Sequence, residues 1–316
     1  FFKKKNIDVL DLGLKYYKFL PKEGFVKSRF SYLIIIFMSI FPLIKLLKKN
    51  NSDFFVVHLI TSLPMILFYF FNYKSKLILR ISGFPKLNFL RKKLWLILSK
   101  KIYYCTCPSI DLTRQLKFNK VFPSEKIFFL PDPIISINEF ISSIKLSNRN
   151  NVEKPKNKFF ISVGRLTKQK NFRYLINEFT KFCKFNNDYD LLIFGEGEEK
   201  NILKSLINKN QMTNKIFLKG YSKDIFFFMK KAEAFVLSSL WEDPGFVIIE
   251  AALSNLSIIS SNCKNGPLEF LLKGEAGILF ENNKENELKK SLDNFASLKF
   301  NMKNKKILAK KNCINY

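Results

Sequence analysis

A single histidine, His58, in 316 residues leaves no multi-histidine metal centre and few routes to histidine-based catalysis. Cysteine is equally sparse. The five (105, 107, 183, 263 and 313) are scattered, odd in number and without a C-x-x-C pair, which excludes a disulfide framework or a thiolate zinc site and leaves reduced thiols. Acidic residues are few, 26 Asp+Glu against 54 Lys+Arg, for a formal net charge of +28. Roughly +18 of that lies in residues 1–150. Arginine is also scarce, with seven among those bases. The Lys, Asn, Ile and Phe richness reads either as AT-rich coding or as attraction to an anionic partner. Scarce arginine and the lack of an aromatic–basic motif argue against nucleic acid as that partner. No 20–50-residue repeat and no signal peptide are visible.

What is present is enough apolar residue for two ordinary cores: 47% hydrophobic, 16% aromatic. Two runs imitate membrane spans. Phe30–Leu47 is broken by Ser31, Ser39, Pro42 and Lys45, and Phe54–Tyr73 contains His58, Thr61, Ser62 and Pro64. Such interruptions favour a buried helix for the first run, and a buried strand followed by a helix for the second.

Short β-rich runs alternate with longer helical ones, the α/β signature with parallel sheets. In the first half the expected strands are Ile7–Asp11, Phe54–His58, Leu77–Ile81, Tyr103–Cys107 and Lys126–Leu130. Expected helices are Ser31–Lys49, Leu63–Phe71, Leu87–Lys100 and Ser109–Leu116. Pro131-Asp132-Pro133 and the polar run from Ser147 to Asn157 read as a linker region, which divides the chain into domains 1–150 and 151–316. The pattern then restarts, with strands at Phe159–Val163, Asp190–Phe194, Ile216–Lys219, Ala234–Ser238 and Ser257–Ser260. Helices are expected at Asn171–Phe185, Glu198–Lys209, Ile225–Ala232, Phe246–Leu253 and Lys284–Phe295.

Ligands of open α/β sheets bind beyond the carboxyl ends of strands. Four stretches of the second half fall there: Ser162 to Asn171 with Arg165 and Lys170, Gly195-Glu196-Gly197, Lys219 to Ser222, and Trp241 to Ala252. The last sets Glu242 and Glu250 eight positions apart, around a turn at Asp243-Pro244-Gly245 and a helix starting at Phe246. A helix N-terminus seats phosphate, and carboxylates accept from sugar hydroxyls. Taken singly each feature is ordinary: a turn, solvated bases, a first-turn acid, a helical surface acid. Asp188-Tyr189-Asp190 has the spacing of a manganese motif, but it precedes a strand where that motif follows one, and it reads as structural.

In this order the motifs resemble retaining nucleotide-sugar glycosyltransferases of the GT-B fold, glycosyltransferase family 4. The resemblance spans Phe159 to about Phe280. It rests on Gly164-Arg165-Leu166 with Lys170-Asn171, on Gly195-x-Gly197, on Glu242-x7-Glu250, and on Gly266-Pro267-x-Glu269 and Gly277-x-Leu279. It implies two Rossmann-like domains whose parallel sheets face each other across a cleft. It also implies transfer of a sugar, with retention, from a UDP- or GDP-sugar to a glycan or lipid-linked acceptor in cell-surface polysaccharide or lipopolysaccharide biosynthesis. Arg165, Lys170 and Glu242 would be the catalytic set, the two bases on the donor diphosphate and Glu242 on the sugar hydroxyls. Gly164, Gly195, Gly197, Tyr221, Gly245, Phe246, Val247 and Glu250 would complete the donor site, with Glu250 on the ribose. No metal or other cofactor is expected, since cationic side chains take that role. A cytoplasmic location is expected, with peripheral contact to anionic membrane.

The departures fall at the edges. Asn262 stands where the family often has an acid or small residue, which would alter helix capping. The chain starts at what looks like the family's second strand, and Lys303–Tyr316 is short for its closing helix, so both ends are expected to be cut. In many members a histidine follows the strand corresponding to Leu77–Ile81, where this chain has Arg80-Ile81-Ser82-Gly83. Arg80, Ser82 and His58 are therefore the acceptor-side candidates. His58 is also open to the plainer reading of a satisfied core residue.

Overall fold

The computed structural model describes residues 25–49, 52–58, 61–133, 138, 140–142, 145, 155–242, 245–297 and 302–316. The strand expected at Ile7–Asp11, residues 147–154 of the polar run, and Asp243-Pro244 of the expected turn lie outside them. The chain forms two units. One holds the residues up to Cys107 with Thr113–Phe128, the other Pro108–Leu112 and everything from Phe129 onward. The units thus part at Phe128, where composition alone puts the junction near 150.

The first unit holds α1 (Phe25–Lys49), β1 (Phe54–His58), α2 (Ser62–Phe70), β2 (Lys76–Arg80), α3 (Phe89–Leu98), β3 (Tyr104–Cys107), most of α4 (Ile110–Asn119) and β4 (Ile127–Phe129). Its four strands lie in the order β1-β2-β3-β4, with β1–β2 and β2–β3 parallel. The second apolar run resolves into a strand and a helix as expected, and the helix buries Leu63, Met65, Leu67 and Phe68. But β1 is not the buried strand expected: Val57 is its buried residue, while Phe54, Val56 and His58 are exposed. The first run is helical as well, but α1 is not a buried helix. Leu33, Phe37, Met38 and Phe41 are exposed on it, and Leu43 and Leu47 are its buried residues. Apolar residues in nearly every position cannot all face one core; a helix covered on one side leaves the others in solvent.

The second unit is a six-stranded, wholly parallel sheet in the order β10-β9-β8-β5-β6-β7. Its strands are β5 (Lys158–Val163), β6 (Tyr189–Phe194), β7 (Ile216–Gly220), β8 (Ala234–Leu237), β9 (Ser257–Ser261) and β10 (Ile278–Phe280). The helices are α5 (Phe172–Cys183), α6 (Lys200–Lys209), α7 (Ile225–Lys231), α8 (Phe246–Leu253), α9 (Pro267–Phe270), α10 (Glu287–Ser297) and α11 (Met302–Asn312). Strands buried on both faces read as continuous apolar runs, and every residue of β6 and β8 is buried. The 3.6-residue pattern of α5 puts Phe172, Leu175, Ile176, Phe179 and Phe182 into one core with Phe160, Leu191 and Ile193. A second core on the other face gathers Phe159, Ile161, Phe235, Ile248, Ile249 and Ile258.

β5 pairs with β6 on one side and β8 on the other. Strand order reverses there, so the connections out of β5 and β8 diverge and leave a crevice at their carboxyl ends.

Candidate active site

The two loops that leave this switch point are tied together. Leu240 N–H donates to the Gln169 carbonyl at 2.8 Å, the Gln169 carboxamide to the Trp241 carbonyl at 2.9 Å, and the Ser238 hydroxyl to the Lys170 carbonyl at 2.8 Å. Asn171 adopts a left-handed conformation, φ 51°, and so turns the chain from a short 3-10 turn into α5. This bracing aims Lys170 inward. Its ammonium reaches Glu242 Oε1 at 2.6 Å, with the two side chains only 14% and 5% exposed. Glu242 Oε1 also accepts from the Ser239 hydroxyl, and Ser239 is fully buried. Ser239, Gln169 and Ser238 are site residues that the motif reading missed. The one sequence signal was a polar Ser-Ser pair ending an apolar strand.

Gly195 packs against Gly164, and Gly197 against the Leu166 backbone. A Cβ on Gly195, at φ +135°, would fall 1.9 Å from the Gly164 carbonyl oxygen, and one on Gly197 would fall 2.4 Å from that of Leu166. Gly164 N–H donates to Phe194 at 3.0 Å and Leu166 N–H to Glu196 at 2.9 Å, locking the loop after β5 onto the loop after β6. The Gly-x-Gly pair is thus required by loop-on-loop packing whether or not a ligand is bound.

Gly245, at φ +87°, lets α8 begin beside Glu242; a Cβ there would lie 3.2 Å from Glu242 Cγ. The first N–H groups of α8 have no intrahelical acceptor and carry the positive end of its dipole. Glu250, one turn in, is half-buried, and no described residue gives its carboxylate a partner. Burial without compensation raises its pKa above the usual carboxylate value. A partly buried carboxylate with no partner among the described residues can take a hydrogen bond from an external donor.

The other expected donor residues are more open. Arg165 is exposed just after β5, Tyr221 is 78% exposed just after β7, and Phe246 and Val247 are partly exposed at the start of α8. Glu269, part of the motif after β9, has structural work. Its two carboxylate oxygens accept from the N–H groups of Ile110 (3.1 Å) and Asp111 (2.9 Å), and Oε1 also takes the Tyr316 hydroxyl at 2.8 Å. Asn262 caps no helix; its side-chain oxygen accepts from Asn282 N–H at 3.0 Å. Asp188 pairs with Lys158, and Asp190 takes Asn157 and Lys215. No group of three potential metal ligands occurs among the described residues.

In the first unit, β1 and β2 bring the acceptor-side candidates together. His58 and Arg80 are register partners at the strand ends, and His58 Nε2 lies 2.5 Å from the Ser82 hydroxyl. His58 is exposed, so the core-residue reading does not hold for it.

The model of the family described as Glycosyl transferases group 1 matches residues 144–312, more than half of the chain. The chain belongs to this family. An uncharacterised glycosyltransferase of Methanocaldococcus jannaschii is 45% identical over 112 residues, 35% of this chain and 28% of that one. An N-acetylgalactosamine-N,N'-diacetylbacillosaminyl-diphospho-undecaprenol 4-alpha-N-acetylgalactosaminyltransferase of Campylobacter jejuni is 33% identical over 133 residues, 42% of this chain and 36% of that one. Among solved structures, Anabaena HepE in complex with UDP and glucose aligns at TM-score 0.71 and 16% identity, covering 87% of this chain and 77% of that one. At that identity the likeness is one of fold, and the fold is GT-B, two parallel-sheet α/β domains. The glycosyl transferases group 1 chain described here spans 28%, 56% and 36% of the length of three curated relatives it matches.

Proposed function

We propose that the chain transfers a sugar from a UDP- or GDP-sugar to a glycan or lipid-linked acceptor, with retention at the anomeric carbon, as a member of the large retaining family 4. The observation that carries this reading is the constellation at the β5/β8 switch point: the buried Lys170–Glu242 pair beside the start of α8, with the unpartnered Glu250 one turn along. Lys170 and Arg165, with the N–H groups at Gly245–Val247, hold the donor diphosphate and neutralise the charge that develops as it leaves. No metal is required for that role. The Glu242 oxygen not engaged by Lys170 and Ser239 accepts from a sugar hydroxyl, and Glu250 accepts from the ribose. The likeness to a UDP complex and to an enzyme named for a diphospho-undecaprenol substrate supports a nucleotide-sugar donor and a lipid-linked acceptor, as in cell-surface polysaccharide or lipopolysaccharide biosynthesis.

Peripheral contact with the cytoplasmic face of an anionic membrane fits the first unit. No helix among the described residues is long and apolar enough to cross a bilayer. On α1, exposed Leu33, Phe37 and Phe41 lead into exposed Lys45, Lys48 and Lys49; on α3, exposed Phe89 and Leu90 precede Lys92 and Lys93. Apolar side chains bordered by lysine are what an anionic interface recruits.

Saturation-transfer NMR with UDP-glucose, UDP-N-acetylglucosamine and GDP-mannose tests the donor reading. At least one is expected to bind and to lose roughly tenfold or more in affinity in Glu250→Ala, the scale of a charged hydrogen bond. Binding of none, or an unchanged affinity in Glu250→Ala, defeats it.

A further inference from the structure

The first unit contains a cavity of about 180 Å³ that the donor reading does not use, lined by His58, Thr61, Arg80, Ser82, Arg91 and Trp95 among others. It sits at the carboxyl ends of β1 and β2, where parallel sheets place ligands. Two guanidinium groups, an imidazole and two hydroxyls meet there, and no acid stands among the described residues that line it. Arg80 is only 9% exposed and forms part of the cavity wall.

Arg91 carries the argument furthest. It comes from the first turn of α3, which Asn88 caps by accepting the Arg91 N–H at 2.8 Å. Its guanidinium lies 4.5 Å from the centroid of the Trp95 ring, and Trp95 is itself pinned, donating from Nε1 to the Ser62 hydroxyl at 2.9 Å. Stacking on an indole fixes the guanidinium plane; Nη1 donates to the Lys86 carbonyl at 3.4 Å, and the remaining donors suit a planar or tetrahedral oxyanion. One of those donors, Nε, is buried with no hydrogen-bond partner among the described residues. Such an atom is costly unless a ligand supplies the acceptor.

We propose that this cavity is a phosphate-binding subsite, in which Arg80 and Arg91 hold the phosphate or diphosphate of the acceptor and the His58–Ser82 pair hydrogen-bonds its oxygens. As an acceptor subsite it rests on the sugar-transfer reading above. The phosphate chemistry rests on the cavity alone. It narrows the acceptor to a phosphate-bearing molecule and assigns Arg91 and Trp95 to binding and positioning it.

His58 is the only histidine of the chain, so its imidazole proton resonances report on this cavity alone. The 316-residue protein, with UDP saturating the donor site, is titrated with inorganic pyrophosphate, with geranyl diphosphate and with geraniol. Both diphosphates are expected to shift the His58 signals saturably, and geraniol to leave them in place. Tighter binding of geranyl diphosphate than pyrophosphate identifies a prenyl-linked diphosphate, and equal binding a free or sugar-borne one. Arg91→Gln is expected to weaken the diphosphates roughly tenfold or more, without changing UDP affinity. Ser82→Ala, a milder change should the Arg80 or Arg91 variants fold poorly, is expected to weaken them several-fold. Unmoved His58 signals, an equal shift with geraniol, or diphosphate affinity unchanged in both Arg91→Gln and Ser82→Ala overturns the assignment. Failure of UDP to bind, with His58 still responding to pyrophosphate, removes the donor reading and leaves the subsite standing.

Discussion

β1 of the first unit and β8 of the second both end at candidate sites, yet they are held in opposite ways. β1 leaves Phe54, Val56 and His58 exposed and, among the described strands, stands last in its sheet, whereas β8 is buried along its whole length between β5 and β9. Behind β8, the Ser238–Glu242 loop is stapled by backbone and side-chain bonds to the turn that bears Lys170. Behind β1, the described side-chain ties are the His58–Ser82 contact and the hydrogen bond from Trp95 to the Ser62 hydroxyl. The proposed donor side is therefore set before any ligand arrives, and the proposed acceptor side is a basic cavity in a smaller sheet. A rigid seat suits the part of the reaction common to a family, and an open one suits the part that differs between members.

The largest expected effect that tests this contrast is Lys170→Ala. It leaves the Glu242 carboxylate buried without its cation and is expected to cost about 3–5 kcal/mol in urea unfolding. Lys158→Ala, on the exposed pair with Asp188, is expected to cost under about 1 kcal/mol. Equal losses would mean that the buried pair holds nothing in place. Gly195→Ala comes next. Its Cβ would collide with the Gly164 carbonyl at a positive φ, so a loss of about 3 kcal/mol is expected, with nucleotide binding weakened by misplacement of the loop after β5. An alanine tolerated there would show that the loops after β5 and β6 are not locked.

Glu269→Ala is expected to cost about 1–2 kcal/mol, because the first turn of α4 loses the carboxylate that accepts from Ile110 and Asp111, while donor affinity stays unchanged. Glu250→Gln runs the other way. Burial raises the pKa of this carboxyl in the folded state, so its stability contribution is fully present below the ordinary glutamate pKa and is lost as pH rises through the raised value. The glutamine variant is thus expected to melt higher than the parent at pH 7 and to match it below about pH 4, while binding UDP more weakly. A lower melting temperature at pH 7 would indicate an unseen partner and a structural role. Smallest of all, Phe37→Ser on α1 is expected to stay within about 0.5 kcal/mol, since that ring is 74% exposed, and to reduce co-sedimentation with anionic vesicles.

Most of the second unit was legible. Phe246–Leu253 forms the expected helix to the residue, and the five expected strands fall within a residue or two of their apolar runs, because buried parallel strands and amphipathic helices write their periods directly into the sequence. The three-residue edge strand β10 was not expected. The four-residue α9 was missed, since one turn begun by Gly266-Pro267 has no period to detect. Of α11 only the resemblance gave a sign, as a shortened closing helix at Lys303–Tyr316; periodicity does not show it, because its Lys-rich surface hides Met302 and Ala309 as its buried anchors. The expectation of a buried α1 failed because hydrophobicity specifies what a helix can bury, not whether a neighbour arrives to cover it.

The sequence by itself determined the alternation of strands and helices, the family, and the pairing in order of two bases, a Gly-x-Gly and two acids. Only the tertiary structure decided which of these meet. Strand order sets β5 beside β8 although more than seventy residues separate Lys170 from Glu242, and their ion pair exists through that adjacency. Likewise Gly195 serves a carbonyl of another loop, and Arg91 stacks on Trp95 at the mouth of a basic cavity. Periodicity and propensity act between near neighbours along the chain, while close approach, burial and compensation of charge belong to groups that only folding brings together.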